Sequence, residues 1–542
     1  MRSRRGRAVF LFVLISGIAA FTATWYGSTG RSGGSTPAFG GGYVEGVIGA
    51  PARINPLFAG QNEADAALVA LIFAGLTRLD DKGQPFPDLA ETWVLSQDGR
   101  TYTFSLRQGL LWQDGAPLTA DDVVFTYSLL KAPGLRAPPN QARALADATI
   151  AKVDSRTVSI ELPQAYAPLP AYLTLGILPS HLLRTIQPGA MFDAAFNQQP
   201  MGAGPYRLDH LSPDRASLVA NPAHHLGQPF IQRLDLRFYR DEGAMLEALK
   251  ARQVNGAVFR SPLSQNDRVY LETRKDLRST ALVTGETAFV YFNLRQTMFQ
   301  DRRLRQALLY ALDREALIGE FLGGQALEPE SPLAIDSWAY TDSLKRYGFD
   351  PSLANLLLDE AGWRRNEGGV RVRAGVALAF TLATNSDPLR VAIAQAMAKT
   401  WEAVGVRVTV EAGGTTTLVR DLLEPRNYQA ALFSQVAEPD PDPYLAWHSS
   451  QGSGKGANLG SFSDDRVDKL LAEARLNTPQ ARRKELYGQF QELFAQEVPA
   501  LPVYTSSGIY VQSASIQGTR NRLITSPGDR FWQVQEWHLK TR

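Results

Sequence analysis

Two strand–helix–strand units, more than a hundred residues apart, constrain the fold of this chain more than any other sequence feature. In the first unit, alternating apolar residues predict a strand at 233–239, a helix from 242 to about 252 and a short strand at 256–259. The second unit predicts a strand at 378–384, a helix that begins at Asp387-Pro388 and stops before Gly405, and a strand at 406–410. Because such a connection builds a parallel sheet with its helix on one face, two units predict two α/β lobes.

Length and composition agree with more than one lobe and exclude several classes of protein. The 542 residues exceed the roughly 250–300 that one hydrophobic core normally holds. Hydrophobic residues make up 44% and charged residues 20%, which excludes a wholly disordered or fibrous chain. The 56 basic and 54 acidic residues leave a net charge of +2, so no large positive field is available for nucleic acid. The absence of cysteine excludes disulfides, thiolate nucleophiles and cysteine-ligated metals.

The N-terminal segment 1–42 is predicted to be a signal or anchor followed by a Gly/Ser-rich tether. Four arginines precede the uncharged, mostly apolar stretch 8–26, whose helical length of about 28 Å is close to the roughly 30 Å hydrocarbon core of a membrane. The basic flank predicts export of everything that follows. A cleaved signal peptide and an uncleaved anchor both fit. We favour the anchor, because no pair of small residues at cleavage-site spacing follows and Trp25-Tyr26 is typical of a membrane interface.

No catalytic, metal or cofactor motif is found. The chain has no His-Glu-x-x-His, no G-x-S-x-G and no phosphate-binding loop. His224 and His225 are adjacent after Asn221-Pro222, a position better explained by a solvated loop than by a metal site. The carboxylate pairs at 121–122 and 464–465 stand where helices are predicted to begin, so they are expected to cap helices rather than to form an acid/base couple. We therefore expect no catalysis and no cofactor.

The most unusual segment is 438–444, in which three acidic residues alternate with prolines. Proline keeps such a segment extended and out of a helix. One hypothesis is a rigid acidic wall that faces a ligand cation, and the other is an ordinary exposed acidic turn. A calcium site is disfavoured, because the segment lacks the glycine and terminal glutamate of an EF-hand. The nearby aromatic residues Phe433, Tyr444 and Trp447 could supply apolar surface to a pocket.

Several motifs in order along the chain resemble those of the family 5 extracellular solute-binding proteins, the peptide-type and nickel-type receptors of ABC importers. They include LIFAGLTRLD at 71–80, PDLAETW at 87–93, DGRTYTF at 98–104, WQDG at 112–115 and LTADDVVF at 118–125. Further matches lie at 202–206, 291–293, 301–307, 311–314 and 462–471. The resemblance extends from residue 43 to the C-terminus.

The resemblance implies an α/β, bilobal, periplasmic-binding-protein-like (Venus flytrap) fold with a third, inserted domain. The implied divisions are lobe I at 43–73, 199–287 and 501–542, the inserted domain at 74–198, and lobe II at 288–500. It also implies a monomeric, extracytoplasmic receptor whose ligand lies between the lobes and whose partners are a membrane permease and its ATPase subunits. The missing lipoprotein cysteine departs from the family pattern, and the proposed anchor would replace it.

The residues expected to line the cleft combine amides, aromatics and acids. They are Gln61, Asn62, Tyr291, Asn293, Asn385, Phe433, Ser434, Gln435, Glu438, Asp440, Trp447 and Asn458. In peptide-binding members of the family an acid near the Asp-Pro motif pairs with the ligand's amino terminus. Here the gapless match places Ala437 there, and only a shift of one residue brings in Glu438. Glu438 or Asp440 is expected to meet a ligand cation.

The expected function is an extracytoplasmic receptor that captures peptides or similar small polar solutes for an ABC importer. A nickel-chelate or oligosaccharide receptor of the same family is one alternative. An extracellular hydrolase that uses paired cleft carboxylates is a second, and a scaffold or chaperone-like protein that binds unfolded segments is a third.

Overall fold

The computed structural model describes residues 37–520 and 522–539. The predicted anchor at 8–26 and most of the tether lie outside these residues. Within the described part of the chain, no helix is both long enough and apolar enough to cross a membrane.

The strands are distributed over the whole described chain. In chain order they are β1 (Gly42–Ile48), β2 (Thr77–Leu79), β3 (Pro85–Pro87), β4 (Ala90–Leu95), β5 (Thr101–Leu106), β6 (Thr149–Lys152), β7 (Thr157–Glu161), β8 (Tyr206–Leu211), β9 (Arg215–Ala220), β10 (Arg233–Tyr239), β11 (Gly256–Phe259), β12 (Leu277–Phe292), β13 (Ala326–Leu327), β14 (Arg364–Arg365), β15 (Arg371–Arg373), β16 (Val376–Ala377), β17 (Ala379–Asn385), β18 (Arg407–Gly413), β19 (Ala430–Val436), β20 (Ala500–Ser513), β21 (Ile516–Gln517) and β22 (His538–Leu539).

The helices alternate with these strands. They are α1 (Glu63–Ile72), α2 (Ala120–Leu129), α3 (Pro139–Ala144), α4 (Leu169–Tyr172), α5 (Ser180–Leu183), α6 (Glu242–Lys250), α7 (Gln265–Thr273), α8 (Thr297–Gln300), α9 (Arg302–Tyr310), α10 (Arg314–Leu322), α11 (Pro351–Glu360), α12 (Pro388–Ala403), α13 (Thr415–Thr417), α14 (Tyr444–Trp447), α15 (Asp465–Leu476) and α16 (Gln480–Glu497).

One large sheet runs through both lobes. Its strand order is β18-β17-β19-β12-β20-β11-β1-β10-β9-β8, with β13 added on β20. Both predicted strand–helix–strand units are present: β10 and β11 lie parallel to β1 on its two sides, and β17 lies parallel to β18. We call β1 and β8–β11 with their helices the first lobe, and β12 and β17–β19 with their helices the second lobe. The long antiparallel strands β12 and β20 join the two lobes.

The alternation of side chains on β12 explains how the second lobe is covered on both faces. Ala288, Val290 and Phe292 pack into a core with residues of α9–α12, whereas Phe289 and Tyr291 pack into a second core with residues of α15 and α16. Since successive side chains of a strand point to opposite faces, one apolar run serves both cores.

A smaller antiparallel sheet, β4-β5-β7-β6, lies within residues 90–161 and shares a continuous hydrophobic core with the first lobe. We call it the small sheet. Helix α2 follows β5 and begins at a capping box, in which the Thr119 side chain and Asp122 satisfy each other's backbone amides. The interpretation of Asp122 and Asp464 as helix caps is thus confirmed.

The apolar and aromatic residues of the C-terminal segment 531–537 predict a strand, and this prediction is wrong. This segment forms two short 3-10 turns, Pro527–Phe531 and Val534–Glu536, before β22 begins. Ser526 and Asp529 form a capping box that starts the first turn, and Phe531, Val534 and Trp537 are buried at a spacing of three. Their aromatic and β-branched character is typical of strands, but their spacing matches a 3-10 helix.

Candidate functional site

Two cavities border the segment 438–443, which we call the acidic segment. The first cavity, of about 310 Å³, is bordered by the end of α1, residues 174–176, residues 522–535 and Pro439. The second, of about 170 Å³, is bordered by Lys82, Leu523, residues 332–337 and the acidic segment itself. Both cavities therefore lie between parts of the chain that belong to different lobes, and together we call them the cleft.

The acidic segment follows the carboxyl end of β19. Ala437 donates its N–H to the Gly285 carbonyl at 2.7 Å, and Gly285 donates to the Ile524 carbonyl at 2.9 Å. These bonds hold the start of the segment against the point where β12 passes between the lobes. Ligands of open α/β sheets collect at such strand ends, so this is where the fold places a binding site.

Glu438 joins the second lobe to the region that carries the small sheet. One Arg143 nitrogen lies 2.6 and 2.7 Å from the two Glu438 oxygens, and the Tyr172 hydroxyl donates a short hydrogen bond to the same carboxylate. The Tyr172 side chain is almost completely buried, and this burial raises the pKa of its hydroxyl, which therefore stays protonated and donates. Arg143 belongs to α3 and Tyr172 to α4.

Asp440 is buried and paired with Arg483 of α16. The two guanidinium nitrogens of Arg483 contact the two carboxylate oxygens, one of them at 2.9 Å, and Arg483 also donates to the Tyr487 hydroxyl at 2.9 Å. The side chains of Asp440 and Arg483 are only 2% and 6% exposed. Burial raises the pKa of Asp440, and Arg483 opposes that shift by stabilising the charged form.

Asp442 pairs with Arg475 of α15 at 2.6 Å. The Arg475 guanidinium lies 4.0 Å from the centre of the Tyr444 ring and 5.3 Å from that of Tyr166, and the Arg475 carbonyl accepts a 2.8 Å hydrogen bond from Ala167. The sequence suggested two hypotheses for this segment, an acidic wall that faces a ligand cation and an exposed acidic turn. Both hypotheses treat the three acids as free of basic partners within the protein. In the structure each of the three acids has an arginine of its own.

Four predicted cleft residues lie inside the second lobe. Tyr291 and Trp447 stack with ring centres 6.0 Å apart in its core. The Asn293 amide donates to the Arg426 and Tyr428 carbonyls at 2.9 Å, and the Asn458 amide donates to the Phe462 carbonyl at 2.8 Å. All four are buried, and none of them is among the residues that border the two cavities. These four residues therefore support the cleft from inside the second lobe and do not line it.

Other predicted residues lie on or near the cleft. Gln435, Glu438 and Asp440 border the second cavity, and the buried Gln435 Oε1 has no hydrogen-bond partner among the described residues.

Phe433 and Ser434, earlier on β19, contact Arg390, which donates to the Ser434 hydroxyl at 2.8 Å. Asn385 ends β17, and its amide donates to Thr415 at 3.4 Å. Asn62 caps α1 by accepting from the Asp65 amide at 2.7 Å, and Gln61 ends the turn Ala59–Gln61.

Several arginines of the site were not identified from the sequence. Arg143 and Glu438 are separated by 295 positions, so no local pattern links them. Arg78 and Arg522 border the first cavity, and the Nε atom of each is buried without a hydrogen-bond partner among the described residues. The Arg78 guanidinium lies 4.3 Å from the Phe86 ring centre, and burial lowers its pKa while Asp88 opposes the shift.

The two adjacent histidines are packed rather than solvated, which corrects the expectation of a solvated loop. His225 Nε2 lies 2.6 Å from an Asp88 oxygen, and His224 Nδ1 lies 3.1 Å from the Gly227 carbonyl. Burial, with a contribution from His225, lowers the pKa of His224 to about 4. Over the described ranges, no group of three or more His, Cys, Asp or Glu residues is arranged to hold a metal ion.

Two lobes that share crossing strands, with a cleft between them at a strand end, define a two-lobed binding protein. The family model described as bacterial extracellular solute-binding proteins, family 5 Middle, matches residues 84–456. The chain belongs to this family, and it is a solute-binding receptor of the type that serves ABC importers. Family 5 binding proteins are transport receptors that act outside the cytoplasm.

The three relatives described here match between 85% and 99% of this chain. The oligopeptide-binding protein AppA of Bacillus subtilis is 25% identical over 99% of this chain and 99% of its own. Protein XP55 of Streptomyces lividans is 30% identical over 85% of this chain and 82% of its own. The crystal structure of NikZ from Campylobacter jejuni in complex with Ni(L-His) is 28% identical, has a TM-score of 0.70 and covers 92% of this chain and 99% of NikZ.

Proposed function

We propose that this chain captures peptides or similar small polar solutes between its lobes and delivers them to the permease of an ABC importer. The observation that carries the proposal is the cleft at the end of β19, where the acidic segment lies against both lobes. A ligand that contacts both lobes stabilises only the closed arrangement and so shifts the population toward it. The name of AppA, an oligopeptide-binding protein, supports a peptide-like ligand.

Within this proposal the cleft residues have different roles. Gln435 supplies an amide oxygen that has no hydrogen-bond partner among the described residues and can accept from a ligand N–H. Phe433 and Asn385 extend the surface along the ends of β19 and β17. Tyr291, Trp447, Asn293 and Asn458 act from behind the surface, because their side chains hold the second lobe together. Gln61 and Asn62 stand at the start of α1, which borders the first cavity.

A peptide-capture experiment tests the proposal against the hydrolase alternative. The purified protein is incubated with a synthetic mixture of short peptides, its radius of gyration is followed by small-angle X-ray scattering, and the retained molecules are identified by mass spectrometry. Retention of unchanged peptides together with a smaller radius of gyration is expected. Cleaved peptides that depend on the cleft acids would establish a hydrolase instead. Weak binding without compaction would favour a scaffold.

A nickel-chelate receptor is the second candidate, because the NikZ structure holds Ni(L-His). His224 is the only histidine of the described chain among those that border the two cavities, and its depressed pKa leaves a neutral imidazole at pH 7. Isothermal titration with Ni–histidine alone, compared with the peptide mixture, separates the two candidates. We expect peptide binding without nickel.

The N-terminal part of the proposal is that residues 1–42 tether a monomeric receptor to the outer face of the membrane without a lipid. The supporting observations are the basic flank, the apolar stretch 8–26 and the absence of cysteine. Membrane fractionation of cells that express the full chain, compared with a variant lacking residues 1–36, tests it. We expect the full chain in the membrane fraction at its full mass and the shortened chain outside that fraction.

We also propose the division into lobe I (43–73, 199–287, 501–542), an inserted domain (74–198) and lobe II (288–500). The separate small sheet supports the inserted domain, and the cores on the two faces of the second-lobe sheet support lobe II. Limited proteolysis, with fragments mapped by mass spectrometry, is expected to cut near these boundaries.

A further inference from the structure

Every carboxylate that borders the cleft is already bound by a basic side chain of the protein. In the second cavity these pairs are Glu438 with Arg143, Asp440 with Arg483 and Asp442 with Arg475. In the first cavity they are Asp88 with His225 and Asp529 with Arg522. Among the described residues that border either cavity, no acid is without a hydrogen-bonded arginine or histidine side chain, and in the second cavity every such partner is an arginine.

The polar groups that remain available have the opposite character. Arg78 has a buried Nε donor without a partner among the described residues, and Lys82 adds a positive charge to the border of the second cavity. The Nε donor of Arg522 is likewise without a partner among these residues, although its charge is paired with Asp529. Gln435 offers a neutral acceptor, its buried Oε1. Such a set can bind a carboxylate and amide N–H groups, but it offers no negative charge to an ammonium group.

Glu438 is the acid most open to a ligand, so its pairing determines whether a ligand ammonium group can find a counter-ion in the cleft. Its side chain is 23% exposed, whereas those of Asp440 and Asp442 are 2% exposed. Arg143 contacts both Glu438 oxygens, and the buried Tyr172 hydroxyl donates to one of them. A ligand ammonium group would have to displace Arg143 or enter the cleft unpaired. Burying an unpaired charge is costly, because the lost hydration is not replaced.

We infer that the cleft selects peptide-like solutes that have no free amino group but keep a carboxylate, such as N-acylated peptides, and that Arg143 takes the position at Glu438 that a ligand ammonium group would otherwise occupy. The inference rests on the proposed function and narrows its ligand class. A solute of this kind leaves the Arg143–Glu438 pair intact, and its carboxylate has positive side chains available in the cleft.

Two peptide pools of identical sequence, one with free amino termini and one N-acetylated, test the inference. Their dissociation constants for the full chain are measured by competition on the immobilised protein. We expect the acetylated pool to bind about tenfold more tightly or better, since tenfold corresponds to only about 1.4 kcal/mol and an unpaired buried charge costs more than that. Equal binding, or tighter binding of the free-amine pool, would overturn the inference and leave the peptide receptor standing.

The variant Arg143→Gln provides a second test that does not depend on absolute affinity. It leaves Glu438 free for a ligand ammonium group, so the preference for the acetylated pool should fall by about tenfold. Arg136→Gln removes the same charge from a neighbouring, exposed position and should keep the wild-type preference. An unchanged preference in Arg143→Gln would overturn the inference. Retention of neither pool by the wild-type protein would contradict the proposed function itself, and the inference with it.

Discussion

Asp440 and Arg483 form the most deeply buried of the ion pairs on the acidic segment. The pair lies between the cleft and the second-lobe core, where Arg483 also lies 5.1 Å from the Trp338 ring centre. A charge in such a place is tolerated only while its partner is present. Asp440, one of the two acids expected from the sequence to meet a ligand cation, is therefore placed to stabilise the lobe.

The variant Asp440→Asn should lower the free energy of unfolding by about 3–5 kcal/mol, because Arg483 is left buried without its counter-charge. The double variant Asp440→Asn with Arg483→Met should lose less than Asp440→Asn alone. Urea unfolding of the two variants and of Arg483→Met measures the coupling. Wild-type stability in Asp440→Asn, together with lost peptide binding, would instead make Asp440 a ligand contact.

His224 predicts a specific pH dependence of stability. Its folded pKa of about 4 is below the usual 6.5, so between these pH values the unfolded chain binds the proton and the folded chain does not. Stability from this group is full above about pH 6.5 and is lost as the pH falls toward 4, with a slope that approaches about 1.4 kcal/mol per pH unit. Denaturant unfolding at pH 7 and pH 5 should show a smaller pH effect in His224→Gln. An equal effect in both proteins would assign the titration to other groups.

At the scale of elements, the close approach of residues 202–204 to the end of α1 shapes the wall of the first cavity. Gly204 donates its N–H to the Ile72 carbonyl at 2.8 Å, and a Cβ atom at Gly204 would lie 2.5 Å from the Ile72 carbonyl carbon. The neighbouring atoms belong to the backbone, so they cannot rotate away. The Gly-rich motif at 202–205 therefore serves the close backbone packing of this wall.

The variant Gly204→Ala should be destabilised by about 1–3 kcal/mol, the usual cost of extra volume in a packed site. Gly189→Ala is the matched control, because a Cβ atom there meets nothing within 4 Å. The control should unfold at the wild-type denaturant concentration or slightly above it. Thermal and urea unfolding of both variants measure the difference, and equal stability of the two would contradict the close approach.

The elements were more predictable from the sequence than the site. The periodicity of β10, α6, β11, β17, α12 and β18 is local, and it located both strand–helix–strand units to within about three residues. The pairing of Glu438 with Arg143 depends on residues 295 positions apart, which no periodic pattern reports. Amide and aromatic side chains serve ligand binding as well as core packing, so the sequence alone could not distinguish these roles for Asn293, Asn458 and Trp447. Their contacts in the structure show that they support the second lobe.

At the scale of the whole molecule, the two lobes are joined through strands as well as through the cleft. The strands β12 and β20 carry the sheet from one lobe to the other, and Glu438 connects the second lobe to α3 and α4 on the side of the small sheet. The sequence predicted two lobes but not one continuous sheet, because the partners of a long strand are set by tertiary contacts. The Arg143–Glu438 and Ala167–Arg475 contacts also connect the second lobe to the side of the small sheet, and they lie outside the continuous sheet.

Breaking these contacts should loosen the closed arrangement without unfolding either lobe. The variant Glu438→Gln removes the charge that holds Arg143, so the ligand-free protein should show a larger radius of gyration by small-angle scattering and nearly wild-type urea unfolding. Glu367→Gln is a suitable control, because it removes the same charge from the exposed turn between β14 and β15. A radius of gyration unchanged from wild type would show that Glu438 does not contribute to closure.

The most direct test of the receptor assignment is to identify what the protein carries when it is purified from its own cells. The protein is denatured, and the released small molecules are identified by mass spectrometry beside a matched sample of Arg483→Met, whose cleft has lost its support. We expect intact peptide-like molecules that carry a carboxylate, released from the wild-type protein in greater amount than from the variant. Release of a sugar or a metal chelate in their place would contradict it.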